Sequence, residues 1–535
     1  MLNKSPFTRR SFLKTGLAAA AGAASLPITI HAFKPQTQYT RYDVMSEQGQ
    51  SALQSYSLGI TKMLERPPTD PQNWFRNAFI HMMDCPHGNW WFYVWHRGYV
   101  GYFEQTIRNL SGDANFAIPY WDWTTTPEIP QSMFDAVRTP TNQAYLPFTE
   151  NLVKFTSFIK QPVHDYWNTL TTEQRAQLDI RGWRDFEDMW NAVIATDSPG
   201  DRCYATTANA RYLTPQNSQL APEVAAMCAP DTIDAGLQPI QYYNPDIALS
   251  FTSTKTPSHM TPPGGGTAFS MLEGLPHNNV HNNIGGLGSS QIPPPGPYGY
   301  MANFLSPVDP IFFLHHANMD RLWDVWTQKQ EALGEPIWPS GTEFDDLTLE
   351  KFMFFVDGDG KFVPPTNAGN YLRTASFQYT YAPPASGSLK TSKARPKRKR
   401  IQVKGVVKNN RAAFTVPSSA VKEHLASPTL VAEVTVPYPS AAPEPRAYNV
   451  LVGAPTNVTD VDAKSPYFAG RIAFFGSMSH GHGTPGYATF AVPLPKTQQA
   501  FKSLAATNTT VEIRIVPVGG QTQRPLLRSA VIRAL

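Results

Sequence analysis

The chain has 535 residues, about twice the length at which single hydrophobic cores stop growing, so two or more domains are expected. With 45 Lys and Arg against 41 Asp and Glu, and 16% charged beside 41% hydrophobic residues, it is neither a disordered chain nor a nucleic-acid coat. Three cysteines exclude a dense disulfide scaffold, while 12% aromatics and 49 prolines point to a large packed core joined by long loops.

At the N-terminus, Thr8-Arg9-Arg10-Ser11-Phe12-Leu13-Lys14 precedes the small apolar run Gly16 to Ala24. This resembles a twin-arginine export signal, and residues 1–32 are expected to be a leader. Pro27 interrupts the run short of the roughly 20 residues that span a bilayer, and no later segment is apolar enough to do so. The mature protein is therefore expected in the periplasm or outside the cell, without stable membrane association. A disulfide between Cys203 and Cys228 could survive there.

From Tyr42 to Asn109 the pattern predicts helices, with Ser51 to Leu64 amphipathic and Phe92 to Ile107 carrying aromatics three and four apart. A second helical stretch is Asp309 to Gln330. Residues 110–270 are rich in Pro, Asn and Thr, with clear helical patches only near Thr172 to Ile194. Lys390 to Arg400 holds seven basic residues in eleven, a solvated tether or an exposed protease site. Beyond it the period becomes two, clearest at Val511 to Ile515, Leu430 to Val436 and Ala488 to Val492, which predicts one β-sandwich core.

The histidines carry the chemistry. His81, His87 and His96 form one group; His277, His281, His315 and His316 form another. Imidazole suits copper, zinc, iron and nickel, and the lack of carboxylates at ligand spacing disfavours calcium and magnesium. No HExxH pattern supplies the general base of a zinc hydrolase. His277 and His281, four apart, project from one helix face and can grip one ion. His316 and Asp320 share that spacing, so the carboxylate can support a ligand or fix the helix. His315 and His316 lie about 100° apart around a helix, so only one can face a given ion. Nine residues separate His87 from His96, which places His87 before the helix, as Pro86 and Gly88 suggest, and His96 inside it.

These motifs resemble the type 3 copper proteins: tyrosinases, catechol oxidases and haemocyanins. Cys85-Pro86-His87, His96-Arg97 and Glu104 are similar to the family's first copper site. Leu272-Glu273-Gly274, His277-Asn278, His281 and Ser306-Pro307-Val308-Asp309-Pro310 through His315-His316 to Asp320-Arg321-Leu322-Trp323 are similar to the second. Tyr379-Thr380-Tyr381 resembles the tyrosine motif that closes the catalytic domain. Tyr448-Asn449-Val450 and Phe468-Ala469-Gly470 resemble, more loosely, the shielding domain of latent polyphenol oxidases.

The resemblance implies two copper ions, one on His81, His87 and His96 and the other on His277, His281 and His316, with His315 packed behind them. The six-residue gap between His81 and His87 is shorter than the family usually shows. Cys85 is then either a small buried residue or the sulfur of a thioether to His87. Glu273 and Asn278 correspond to a pair that holds a proton-accepting water in tyrosinases. The implied activity is that of a tyrosinase: dioxygen-dependent ortho-hydroxylation of monophenols and oxidation of o-diphenols to o-quinones. The alternatives are a catechol oxidase without hydroxylation and an oxygen carrier.

The expected fold is a mainly α catalytic domain, a four-helix bundle with long loops around a dicopper centre, over residues 33–382. A basic linker, 383–400, leads to a β-rich C-terminal shielding domain, 401–535. Latency would place a C-terminal side chain over the coppers, with Phe474, Phe475 and Met478 as candidates and an activating protease as partner. Phe304 lies in the stretch bordering the substrate mouth, and His480 and His482 could bind copper or receive it from a delivery partner.

Overall fold

The computed structural model describes residues 38–194, 202–286, 299–384, 401–439, 445–458, 461–476, 486–502, 504–518 and 526–535. The export motif, the basic run Lys390 to Arg400, Met478, His480 and His482 lie outside them. Residues Thr37–Leu535 form one contact unit. Among the described residues no helix is long and apolar enough to cross a membrane.

Helix α1 (Glu47–Glu65) starts at Ser46, whose hydroxyl accepts the Gly49 N–H, and buries Leu53, Tyr56, Ile60 and Met63 along one stripe. Helix α2 (Trp74–Asp84) is capped by Asn73 and buried on every face, as expected of a helix at the centre of a core. Helix α3 (Phe92–Ser111) ends on Gly112, whose φ of 74° is a left-handed cap that glycine adopts without strain. At Gly59 the first and third helices pack so closely that a Cβ would stand 2.6 Å from Ile107 Cδ1.

Helix α4 (Leu152–Thr169) departs from the sequence reading, which found helix only from Thr172 onward. Pro162 lies inside it, at the cost of one backbone hydrogen bond. Burial of Phe155, Ile159, Val163 and Trp167, spaced by four, outweighs that loss. The expected patch at Thr172 to Ile194 forms as two helices, Thr172–Ile180 and Phe186–Ile194. Two further helices, α5 (Asn278–Gly285) and α6 (Ile311–Leu333), complete the bundle with α2 and α3. The last is anchored on α3 by the stacked rings of Phe103 and Phe313, whose centroids lie 3.4 Å apart.

The β region holds two five-stranded sheets. Its strands are β1 (Ala268–Phe269), β2 (Gln402–Lys404), β3 (Val406–Lys408), β4 (Arg411–Pro417), β5 (Leu430–Pro437), β6 (Ala447–Val452), β7 (Phe468–Ala473), β8 (Tyr487–Pro493), β9 (Asn508–Pro517) and β10 (Ser529–Ala534). One sheet runs β7-β6-β9-β4-β3 and the other β1-β8-β5-β10-β2. Phe414, Val434, Ile472, Phe490, Ile513 and Ile532 fill the core of this region. The three segments with period two fall inside β9, β5 and β8.

The β layer is not confined to residues 401–535. Strand β1, from the helical part, pairs in parallel with Thr489 and Phe490 of β8, and the Phe269 ring stacks on Phe490 at 4.9 Å. This edge strand lies just before Glu273, so the sandwich is joined to the candidate site through the chain itself.

The expected Cys203–Cys228 disulfide is not formed. Both thiols are buried, Cys228 at the end of helix Pro222–Met227.

Candidate metal centre

Seven imidazoles meet between α2, α3, α5, α6 and the loop before α3, and each is at least 95% buried: His81, His87, His96, His277, His281, His315 and His316. In the first group the ring centroids are 5.3 Å apart for His81 and His87, 5.3 Å for His87 and His96, and 5.5 Å for His81 and His96. In the second, His277 lies 4.5 Å from His281 and 5.1 Å from His316. The groups touch where His96 and His316 stack at 4.2 Å.

Backbone carbonyls set the tautomers. A carbonyl oxygen only accepts, so each imidazole nitrogen bonded to one must carry the proton. His81 Nδ1 donates to Phe304 O at 2.8 Å, His96 Nδ1 to Phe92 O at 2.7 Å and His281 Nδ1 to Met301 O at 2.6 Å. Their Nε2 atoms are therefore bare lone pairs. Those of His81 and His96 face each other at 3.4 Å, an arrangement with no proton to share. A cation between or beside them removes the repulsion, and this donor set fits a soft to borderline metal ion.

His315 is built differently. The Trp123 indole N–H donates to its Nδ1 at 3.1 Å, which puts the ring proton on Nε2. His316, one residue on, presents Nε2 3.1 Å from His281 Nε2. Donor atoms of His277, His281, His315 and His316 all lie within 4.8 Å of one another, so proximity does not separate the two neighbours; Trp123 pins the His315 proton on Nε2, whereas His316 Nδ1 has no partner among the described residues and can take the proton from its Nε2.

Burial and crowding depress the imidazole basicity. His81 and His277 are pushed down to about 3, chiefly by desolvation, and His87, His96, His281 and His316 well below their ordinary value by burial and each other. All are neutral at working pH, the state a metal requires.

Cys85 Sγ lies 3.4 Å from His87 Nδ1. Glu273 opens a wide turn, Glu273–His277, that includes Pro276, whose missing N–H disfavours the ordinary helical bond there. Its carboxyl accepts the Gly88 N–H at 2.6 Å and the Ser253 hydroxyl, and burial pushes it up to about 8. Asn278 Oδ1 accepts from His277 Nδ1 at 2.9 Å, and its Nδ2 donates to Ala473 O at 2.7 Å.

Phe475 covers this cluster, its ring 4.3 Å from His281, 4.8 Å from His87 and 5.6 Å from Phe304. Phe474 instead points into the sandwich, against Phe490 and Tyr438. Asp320 fixes the helix: it accepts from Arg97 Nε at 2.6 Å, from Tyr381 at 2.6 Å and from Tyr379. Arg41 bridges Asp320 to Glu104.

Sequence reasoning missed His259, which stands alone in the chain. Its Nε2 meets Asp84 at 3.0 Å and its Nδ1 Glu350 at 2.6 Å, partners 175 and 91 residues away. The two carboxylates outweigh desolvation and raise its pKa. A raised folded value contributes stability that is fully present below the unfolded pKa of about 6.5 and is lost as pH rises through the folded one. His259→Gln should therefore lower stability at pH 6 by about 3 kcal/mol and by less at alkaline pH, as read by denaturant titration.

A family model described as the common central domain of tyrosinase matches residues 61–329. Tyrosinase HcTyr1 of Hahella sp. (strain CCB-MM4) is 24% identical over 375 residues, 62% of this chain and 63% of that protein. Polyphenol oxidase B, chloroplastic, of Solanum lycopersicum is 25% identical over 350 residues, 61% and 47%. The chain thus spans between about half and two thirds of these relatives' length. Among solved structures, latent apple tyrosinase superposes with a TM-score of 0.54 at 15% identity, covering 94% of this chain and 97% of that one. A latent aurone synthase, a polyphenol oxidase, does so with 0.54 at 17%, covering 93% and 89%. These likenesses speak to the fold. The family match spans both histidine groups and half of the sequence, and by it the chain belongs to the tyrosinase family.

Proposed function

We propose that the chain is a copper-dependent oxidase of phenols using dioxygen, with His81, His87 and His96 holding one copper and His277, His281 and His316 the other. The observation that carries this is the pair of bare Nε2 atoms of His81 and His96, 3.4 Å apart in a buried cluster. When bound, the two ions supply the redox chemistry with dioxygen, and the protein supplies position and exclusion of water. His315, with its proton on Nε2, packs against the second set without binding an ion.

Phe304 and Phe475 pack over His87 and His281, and with the Phe475 ring withdrawn a flat phenol ring would dock there. Ortho-hydroxylation needs the phenol proton removed, and Glu273 with Asn278 is the pair proposed to hold the accepting water. A catechol oxidase is the second reading. It is favoured by the way Gly88 and Ser253 already occupy the Glu273 oxygens. Phe475 is the proposed latency plug, the basic linker the proposed cleavage site, and the N-terminal motif the proposed export signal.

Initial rates on L-tyrosine and on its catechol, with copper stoichiometry, before and after limited trypsin, test the reading. Turnover of both after cutting is expected, and catechol turnover alone selects the second reading. A copper-loaded protein that turns over neither refutes both. Cys85 and His87 are proposed to form a thioether, the S–H and one ring C–H being broken and their two electrons and two protons passing to dioxygen when copper is bound. The intact copper-matured chain should weigh less than its sequence by two hydrogen atoms, and Cys85→Ser should restore the unmodified mass of that variant.

A further inference from the structure

Four rings in the cluster have an Nδ1 held by an oxygen. For His81, His96 and His281 that oxygen is a backbone carbonyl of the helical part. His277 differs: beside a backbone hydrogen bond to the Glu273 carbonyl, its Nδ1 is held by a side chain, Asn278 Oδ1. An amide side chain can present either end, and the β region selects the end that meets His277. Asn278 Nδ2 faces Ala473 O, which only accepts, so the oxygen end must turn to His277.

The same strand end is held twice more. Asn279 Nδ2 donates to Arg471 O at 2.7 Å and Asn282 Nδ2 to Phe474 O at 2.8 Å. Three amides of one helical segment thus grip three carbonyls of the β7 strand and the residue after it, and all three asparagines are buried.

We propose that this clamp makes the β region a positioning part of the metal site: Ala473 O orients Asn278, and Asn278, together with the Glu273 carbonyl, holds His277 as the Nδ1–H tautomer with Nε2 bare. The inference rests on the two-copper reading above and adds to it. The C-terminal region then helps load the ion on the His277 side, beyond covering the mouth. Asn278 and Ala473 act through His277, and supporting partners of this kind typically set metal affinity by about 10- to 100-fold.

The test is anaerobic copper(I) titration of the full-length metal-free chain against a chromophoric chelator, with hydrogen exchange of residues 470–475 measured in parallel. Asn279→Ala with Asn282→Ala should raise exchange at 470–475 and weaken one of the two copper affinities about tenfold, leaving the other unchanged. Asn278→Ala should weaken the same one at least as much. Unchanged affinities with a loosened strand overturn the relay, and so does exchange that fails to rise. A wild-type chain that takes up fewer than two ions overturns the two-copper reading, a failure visible before any variant is compared.

Discussion

Alanine at His316 should remove one of the two copper ions and abolish phenol turnover, whereas alanine at His315 should leave both ions bound. The two residues are adjacent on α6, equally buried and equally close to His277, so neither burial nor distance ranks them. Proton mobility does: Trp123 holds the His315 proton on Nε2, whereas His316 Nδ1 has no partner among the described residues, so the His316 proton can move there and leave Nε2 to an ion. Loss of a ligand should weaken that copper by more than about 100-fold, the upper end of what losing a supporting partner costs. Metal analysis of the purified variants decides it. Two ions retained in His316→Ala and one in His315→Ala would reverse the assignment.

Phe475→Ala should raise catechol turnover of the uncut chain at least tenfold, since each tenfold gain needs only about 1.4 kcal/mol of preference for the open mouth. Phe474→Ala should leave latency in place and instead cost roughly 3–5 kcal/mol of stability, because that ring fills the sandwich core. Neighbours in an extended chain point to opposite faces, so two adjacent phenylalanines serve the two sides of this surface. Uncut rates and melting curves of both variants read the contrast. A Phe475→Ala chain as latent as wild type would move the block elsewhere.

The second histidine group was legible because His277 and His281 recur at helical spacing, and the loop before α3 was legible from the phase mismatch between His87 and His96. Phe475 was one of three candidates, since sequence pattern does not tell which residue after a strand turns outward. Helix α4 was hidden by Pro162, and the chain's own apolar spacing by four was the signal that could have found it. The Cys203–Cys228 expectation failed because two cysteines in a sequence say nothing of whether the fold brings their sulfurs together, and both stay buried thiols. His259 left no trace, because its partners are brought to it only by the fold.

The parallel pairing of β1 with β8 bears on the timing of activation. Severing the tether near residue 390 leaves that ladder intact, together with the ion pairs Arg471–Glu223, Lys496–Asp231 and Arg533–Asp246. If the proposed cleavage activates the chain, scission and unmasking are then successive events. At saturating protease the onset of turnover should show a lag that no longer shortens with added enzyme, its length set by how slowly the nicked halves come apart.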